Sequence, residues 1–128
     1  MSNILLIETD KLLAQNIQQI LEAQGHSVDW QVEPQEAITR ADTTKPDLVI
    51  LDLILAERSG IEFLYEFRSY PDWQALPAII FTNIPAEELQ ACAEGFSQLN
   101  VVEVLYKPTT SLKKLANTVD QALKTALV

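Results

Sequence analysis

Apolar positions along this chain fall into two alternating patterns. Short, nearly unbroken runs occur at "NILLI" (3–7), "DLVIL" (47–51), "PAIIF" (77–81) and "VVEVLY" (101–106), and "HSVDWQV" (26–32) reads as a further strand. Between them, apolar residues recur at helical spacing. Leu13, Ile17, Ile20 and Leu21 mark a helix over 11–24, and Ala37, Ile38 and Ala41 one over 34–44. Ile61, Leu64 and Phe67 or Tyr65 mark a third over 61–70, with Leu89 and Phe96 on a fourth over 86–96. Leu112, Leu115, Ala116, Val119 and Leu123 share one face of the last, 111–127.

The punctuation between these segments agrees. Asp10 stands where an N-cap belongs, and Gly25 where the first helix must stop. Pro34 suits a first helical turn, Pro46 closes the second helix and Pro71 forbids continuation of the third. Glu87 and Glu88 lie near the positive end of the fourth. Five strands thus alternate with five helices. Apolar strands without period-two alternation imply burial on both faces, hence a parallel sheet between two helical layers. The expectation is a doubly wound α/β domain over 1–128, with its site beyond the carboxyl ends of the strands.

Composition narrows the chemistry. The chain has 128 residues, enough for one domain that folds without a metal or disulfide staple. Its net charge of −9 argues against nucleic-acid binding, which needs a basic stripe. Lys113–Lys114 is the only basic doublet and reads as a solvated helix face. One cysteine, Cys92, excludes an internal disulfide and a thiolate metal cluster; among helical apolar neighbours it reads as buried filler. One histidine, His26, excludes a Ser-His-Asp triad. No apolar run is long enough to span a bilayer and no signal peptide opens the chain, so a cytoplasmic protein away from membranes is expected.

The residues that follow the strands carry the functional signal. Glu8, Thr9 and Asp10 follow the first, Asp52 the third, Thr82 and Asn83 the fourth, Lys107 and Pro108 the fifth. Acids, a hydroxyl and an ammonium are thereby gathered on one rim. Such carboxylates invite a hard divalent cation, Mg²⁺, held together with waters and phosphate oxygens. A hydroxyl and a lysine beside them can bind phosphoryl oxygens. Each residue alone could be an ordinary polar strand end; four of suitable chemistry on one rim are hard to assign to chance.

From end to end, the chain resembles the receiver domain of two-component response regulators. "ILLIETD" (4–10), "PDLVILDLIL" (46–55), "AIIFTN" (78–83) and "VLYKP" (104–108) carry the resemblance. It implies a flavodoxin-like fold with strand order 2-1-3-4-5. It also implies that Asp52 accepts a phosphoryl group from a histidine kinase or phosphotransfer protein. Glu8, Asp52 and the backbone carbonyl of Ile54 would hold Mg²⁺, and Thr82 and Lys107 the phosphoryl oxygens. The Lys107–Pro108 bond would be cis, a form that proline makes accessible. No enzyme activity is implied beyond self-phosphorylation and autodephosphorylation at Asp52. A downstream protein would read the switch, and a homodimer could form through the fourth helix, fifth strand and last helix. If the chain is complete, output comes through docking and not through an attached DNA-binding domain.

Four departures bear on this. The family pattern has two adjacent acids after the first strand, where this chain has Glu8 and Thr9. Asp10 is one place late and suits the N-cap better than a metal. Weak Mg²⁺ binding and slow or absent phosphorylation are therefore expected, unless Asp10 or Glu8 reaches the ion through water. Asn83 replaces a small residue and could narrow access to Asp52. Val104 replaces the aromatic that swings inward on activation, and Tyr106 points to the other face. Ala56 stands where proline is frequent. The stretch "CAEGFSQLNVVEV", between the fourth helix and the fifth strand, is also a few residues longer than is usual in the family. A pseudo-receiver, acting as an interaction module without phosphorylation, is thus the competing reading. An enzyme on this fold is disfavoured. An aspartyl phosphatase needs a second acid two residues on, which is Ile54, and "IETDKLLAQ" lacks the glycine-rich turn of a dinucleotide site.

Overall fold

The computed structural model describes residues 2–55 and 59–126. Strands β1 (Asn3–Ile7), β2 (Ser27–Gln31), β3 (Leu48–Leu51), β4 (Ala78–Thr82) and β5 (Val101–Tyr106) form one sheet, ordered β2-β1-β3-β4-β5 with every pairing parallel. Helices α1 (Lys11–Ala23), α2 (Pro34–Thr44), α3 (Gly60–Arg68), α4 (Ala86–Leu89), α5 (Ala93–Gln98) and α6 (Leu112–Ala126) connect and follow the strands. The chain leaves β1 in one direction for β2 and returns to its other side as β3. The switch point therefore lies between β1 and β3, where Glu8 and Asp52 stand.

Alternate residues of each central strand feed two cores. Leu5, Ile7, Val49, Leu51 and Ile80 pack with Phe63, Leu64 and Phe67 of α3 and Ala37, Ile38 and Ala41 of α2. Ile4, Leu6, Ile50, Ile79 and Phe81 pack with Ala14, Ile17 and Leu21 of α1 and Leu115, Ala116 and Val119 of α6. Phe63 stacks on Phe67 at 5.2 Å and Phe67 on Trp73 at 5.8 Å, so one aromatic column ties α3 to the 3₁₀ turn Pro71–Trp73. Each fully buried phenylalanine contributes about 1.5–3 kcal/mol.

Burial on both faces holds for β1, β3 and β4 but not for the edges. In β5, Val102 and Glu103 are exposed, and β2 is only half-buried, because each edge strand has a single neighbour. The ends of α1 and α2 follow their punctuation. The Asp10 side chain accepts from the Leu13 amide at 3.1 Å, and Gly25 takes a φ of +93°. Lys45 closes α2 in a left-handed conformation directly before Pro46, which disfavours helical backbone there.

The fourth helix is not continuous over 86–96. It divides into α4, a 3₁₀ turn at Gln90–Cys92, and α5. Only Leu89 and Phe96 on these elements are buried, and Gly95 sits inside the last turn, so little apolar contact enforces a regular helix. The Lys107–Pro108 bond is trans, as are the other described peptide bonds, against the cis geometry that the resemblance implies. Here Pro108 lies within a 3₁₀ turn, Lys107–Thr109, with the Thr110 amide donating to the Lys107 carbonyl at 3.3 Å. Ala56 lies outside the described residues, as does Leu127 at the end of the last predicted helix. No described helix is long and apolar enough to cross a membrane.

Candidate functional site

Glu8, Asp52 and Thr82 are the buried polar residues among those described, and all three stand at or just past strand ends. Glu8 is one residue beyond β1. Its amide donates to the Gln31 carbonyl at 3.2 Å, and its own carbonyl accepts the Trp30 indole N–H at 2.8 Å. Its carboxylate accepts the Asp10 amide on Oε2 at 3.0 Å and meets Lys107 Nζ on Oε1 at 2.8 Å. Asp52 is one residue beyond β3. Its Oδ1 accepts the Ile54 amide at 3.2 Å, and its Oδ2 lies 2.7 Å from the same lysine. A single ammonium thus bridges two carboxylates contributed by different strands.

Burial disfavours the ammonium form of Lys107, but hydrogen bonds and charge from Asp52 and Glu8 outweigh it and raise its pKa. Its Nζ also lies 5.8 Å from the centre of the Phe81 ring, within reach of a cation–π attraction. Glu8, Asp52 and Lys107 together carry two negative charges and one positive, leaving one net negative charge at the sheet's rim. Thr82 is fully buried on the adjacent strand end, and its Oγ1 accepts the Ile84 amide at 3.3 Å.

The predicted residues separate into two groups. Glu8, Asp52 and Lys107 converge, with Thr82 on the next strand end. Asp10 does not join them: it is exposed, and its carboxylate caps α1. Thr9 and Asn83 are exposed, and Val104 is half-buried beside the core on the α3 face. Ile54 engages Asp52 through its amide, while its side chain is largely exposed. Among the described residues, no group of three His, Cys, Asp or Glu could hold a metal. The two carboxylates that do converge still suit Mg²⁺, which takes one or two carboxylates and completes its octahedron with waters and phosphate oxygens. The donor set fits such an ion at its minimum.

Two residues that contact the site's backbone were not evident from the sequence. A Cβ on Gly60 would lie 2.4 Å from the Asp52 carbonyl oxygen and 2.8 Å from Leu53 Cα, so only glycine lets α3 start against the Asp52–Leu53 backbone. Ser59 caps that helix by accepting the Glu62 amide at 3.1 Å, and the "SG" pair before an apolar stripe is a signal that could have marked this start. Trp30 is the second. An indole in an edge strand needs a polar partner, but the sequence does not name which one.

A doubly wound sheet that presents two acids, a threonine and a lysine at its carboxyl rim defines a receiver-type signalling module. Residues 4–120 match the response regulator receiver domain family, and the chain belongs to it. It is 35% identical over 82 residues to the KDP operon transcriptional regulatory protein KdpE of Escherichia coli, covering 64% of this chain and 35% of that protein. It is 27% identical over 124 residues to protein Rrf1 of Nitratidesulfovibrio vulgaris, covering 97% of this chain and 84% of that one. A two-component response regulator from Clostridium difficile superposes with a TM-score of 0.83 at 27% identity, covering 97% of each chain. The chain spans only 35–41% of the length of KdpE and two similar regulators. Receiver domains are signalling modules and not enzymes in the usual sense. They work with histidine kinases and downstream targets, and their phosphorylation sites generally depend on Mg²⁺.

Proposed function

We propose that this chain is a phosphoacceptor receiver in which Asp52 takes a phosphoryl group from a histidine kinase or phosphotransfer protein. The observation that carries the reading is the Lys107 ammonium bridging Asp52 and Glu8 at 2.7 and 2.8 Å. A carboxylate oxygen of Asp52 attacks phosphorus, the P–N bond to the donor imidazole breaks, and the imidazole leaves with a proton. Lys107 offers charge to the phosphoryl oxygens, and the Thr82 hydroxyl supplies a further hydrogen bond to them. Glu8, Asp52 and the Ile54 carbonyl would hold Mg²⁺, which supplies positive charge against the phosphoryl oxygens when bound. With Thr9 in place of a second acid, that ion is held weakly. The phosphorylated form signals by docking to a downstream protein in the cytoplasm, and a homodimer through α4, α5, β5 and α6 is the natural self-association.

Intact-protein mass spectrometry after incubation with Mg²⁺ and acetyl phosphate tests the reading. One phosphoryl adduct is expected, absent in Asp52→Asn. An unmodified parent protein, or an adduct that survives that substitution, would leave the pseudo-receiver reading in its place.

A further inference from the structure

We infer that Trp30 is a positioning residue for the phosphoacceptor site, acting through the backbone of Glu8. In parallel pairing, the amide and carbonyl of one residue point to the same neighbouring strand. The Ile7 carbonyl accepts from the Asp52 amide just past β3, so the two backbone groups of Glu8 face β2. The Glu8 amide finds the Gln31 carbonyl there. Gln31 is also the last residue of β2, so the ladder offers no amide for the Glu8 carbonyl. Trp30, paired with Leu6 in the β1–β2 register, lies on the same face as Glu8 and supplies its indole N–H at 2.8 Å.

This bond closes the strand pairing with a side chain where the backbone has run out. Its consequence is local and directional. Glu8 is held at both backbone groups by β2, so the turn through Thr9 and Asp10 departs at a fixed angle. The carboxylate is thereby aimed at Lys107, and through Lys107 at Asp52. An edge strand with no charged group in the site thus sets where the site's second acid stands. The half-buried indole packs against the core on the α1–α6 face, so phenylalanine could replace its bulk but not its donor. The other tryptophan, Trp73, stacks on Phe67 in the opposite core and offers an internal control.

The inference rests on the phosphoacceptor reading for its functional consequence, and two measurements keep the two apart. The first is the rate of adduct formation with acetyl phosphate in Trp30→Phe and Trp73→Phe. Loss of one neutral hydrogen bond should slow Trp30→Phe by about fivefold. Trp73→Phe should leave the rate unchanged even where it lowers the melting temperature as much. The second is the NMR resonance of each indole N–H in the Asp52→Asn protein. The Trp30 signal should move, through Lys107 and Glu8, and the Trp73 signal should stay. Equal rates in the parent and a folded Trp30→Phe protein, or an unmoved Trp30 resonance, overturn the inference. If Trp30→Phe does not fold, the resonance decides alone. If the parent forms no adduct, the phosphoacceptor reading falls, and the resonance again judges Trp30.

Discussion

Two cations are withdrawn from solvent at opposite ends of this sheet, and they are held differently. Lys107, at the carboxyl end of β5, meets two carboxylates, and its pKa is raised. Arg68 ends α3 near the amino ends of β4 and β5. It donates through Nε to the Leu99 carbonyl at 2.8 Å and through Nη1 to the Trp73 carbonyl. Desolvation lowers its pKa to about 10, well above neutrality, so it stays charged. Its buried Nη2 has no hydrogen-bond partner among the described residues. One cation pairs with charged groups, in a site that keeps one net negative charge. The other uses its geometry to tie two loop carbonyls together. The two are distinguished by their partners, which are carboxylates for Lys107 and neutral carbonyls for Arg68.

Removing each cation should separate the two roles. Lys107→Met leaves Glu8 and Asp52 facing each other in a buried setting, and the loss of stability should be about 3–5 kcal/mol, measured by urea unfolding at neutral pH. The same contribution has a pH signature. Because the folded pKa of Lys107 is raised, its stabilisation is complete below the ordinary lysine value of about 10.4. It fades as pH climbs from that ordinary value through the higher folded one, so the gap between parent and Lys107→Met should narrow over that interval. A constant gap from neutral pH into that range would contradict the raised pKa.

The backbone support of the site should rank next. Gly60→Ala forces a Cβ into the Asp52 carbonyl, with an expected loss of about 2–3 kcal/mol; an unchanged melting temperature would show that the approach relaxes freely. At the other end, Arg68→Met leaves the Leu99 and Trp73 carbonyls without their donor but also removes the unpaired Nη2. A loss of about 1–2 kcal/mol is expected by urea unfolding, with no change in adduct formation at Asp52. A slowed adduct there would mean that the two ends are coupled.

Smaller effects sharpen the account of the rim. Thr9→Asp adds a carboxylate beside the converging acids and should tighten Mg²⁺ binding by about tenfold, read by calorimetry. Equal affinities would show that the missing acid does not limit the metal. Cys92→Ala, in the broken segment between α4 and α5, should change stability by less than about 1 kcal/mol, since the residue is only half-buried. A larger loss would mean that this segment is better packed than its two buried residues suggest.

Much of the site was legible because strand ends are marked twice, by the apolar run that stops and by the polar residue that follows. Asp52, Thr82 and Lys107 were each placed in this way. The preference of Asp10 for the helix cap was also readable, since capping is decided within four residues. The division of the fourth helix was not, because periodicity records where apolar residues fall and not whether enough contact exists to enforce the helix. The exposed face of β5 escaped for a related reason: strand order decides which strand is an edge.

The alternation of strands and helices, the doubly wound class and the identity of the rim residues are written in local patterning and capping, which act over a few residues. Tertiary structure alone decided that Lys107 spans Glu8 and Asp52, that Trp30 fastens the Glu8 carbonyl, and that Gly60 must remain glycine. Those contacts join residues 22 to 99 positions apart or depend on backbone passing within van der Waals distance of backbone. Only the register of neighbouring strands fixes such distances, and no periodicity along the chain encodes it.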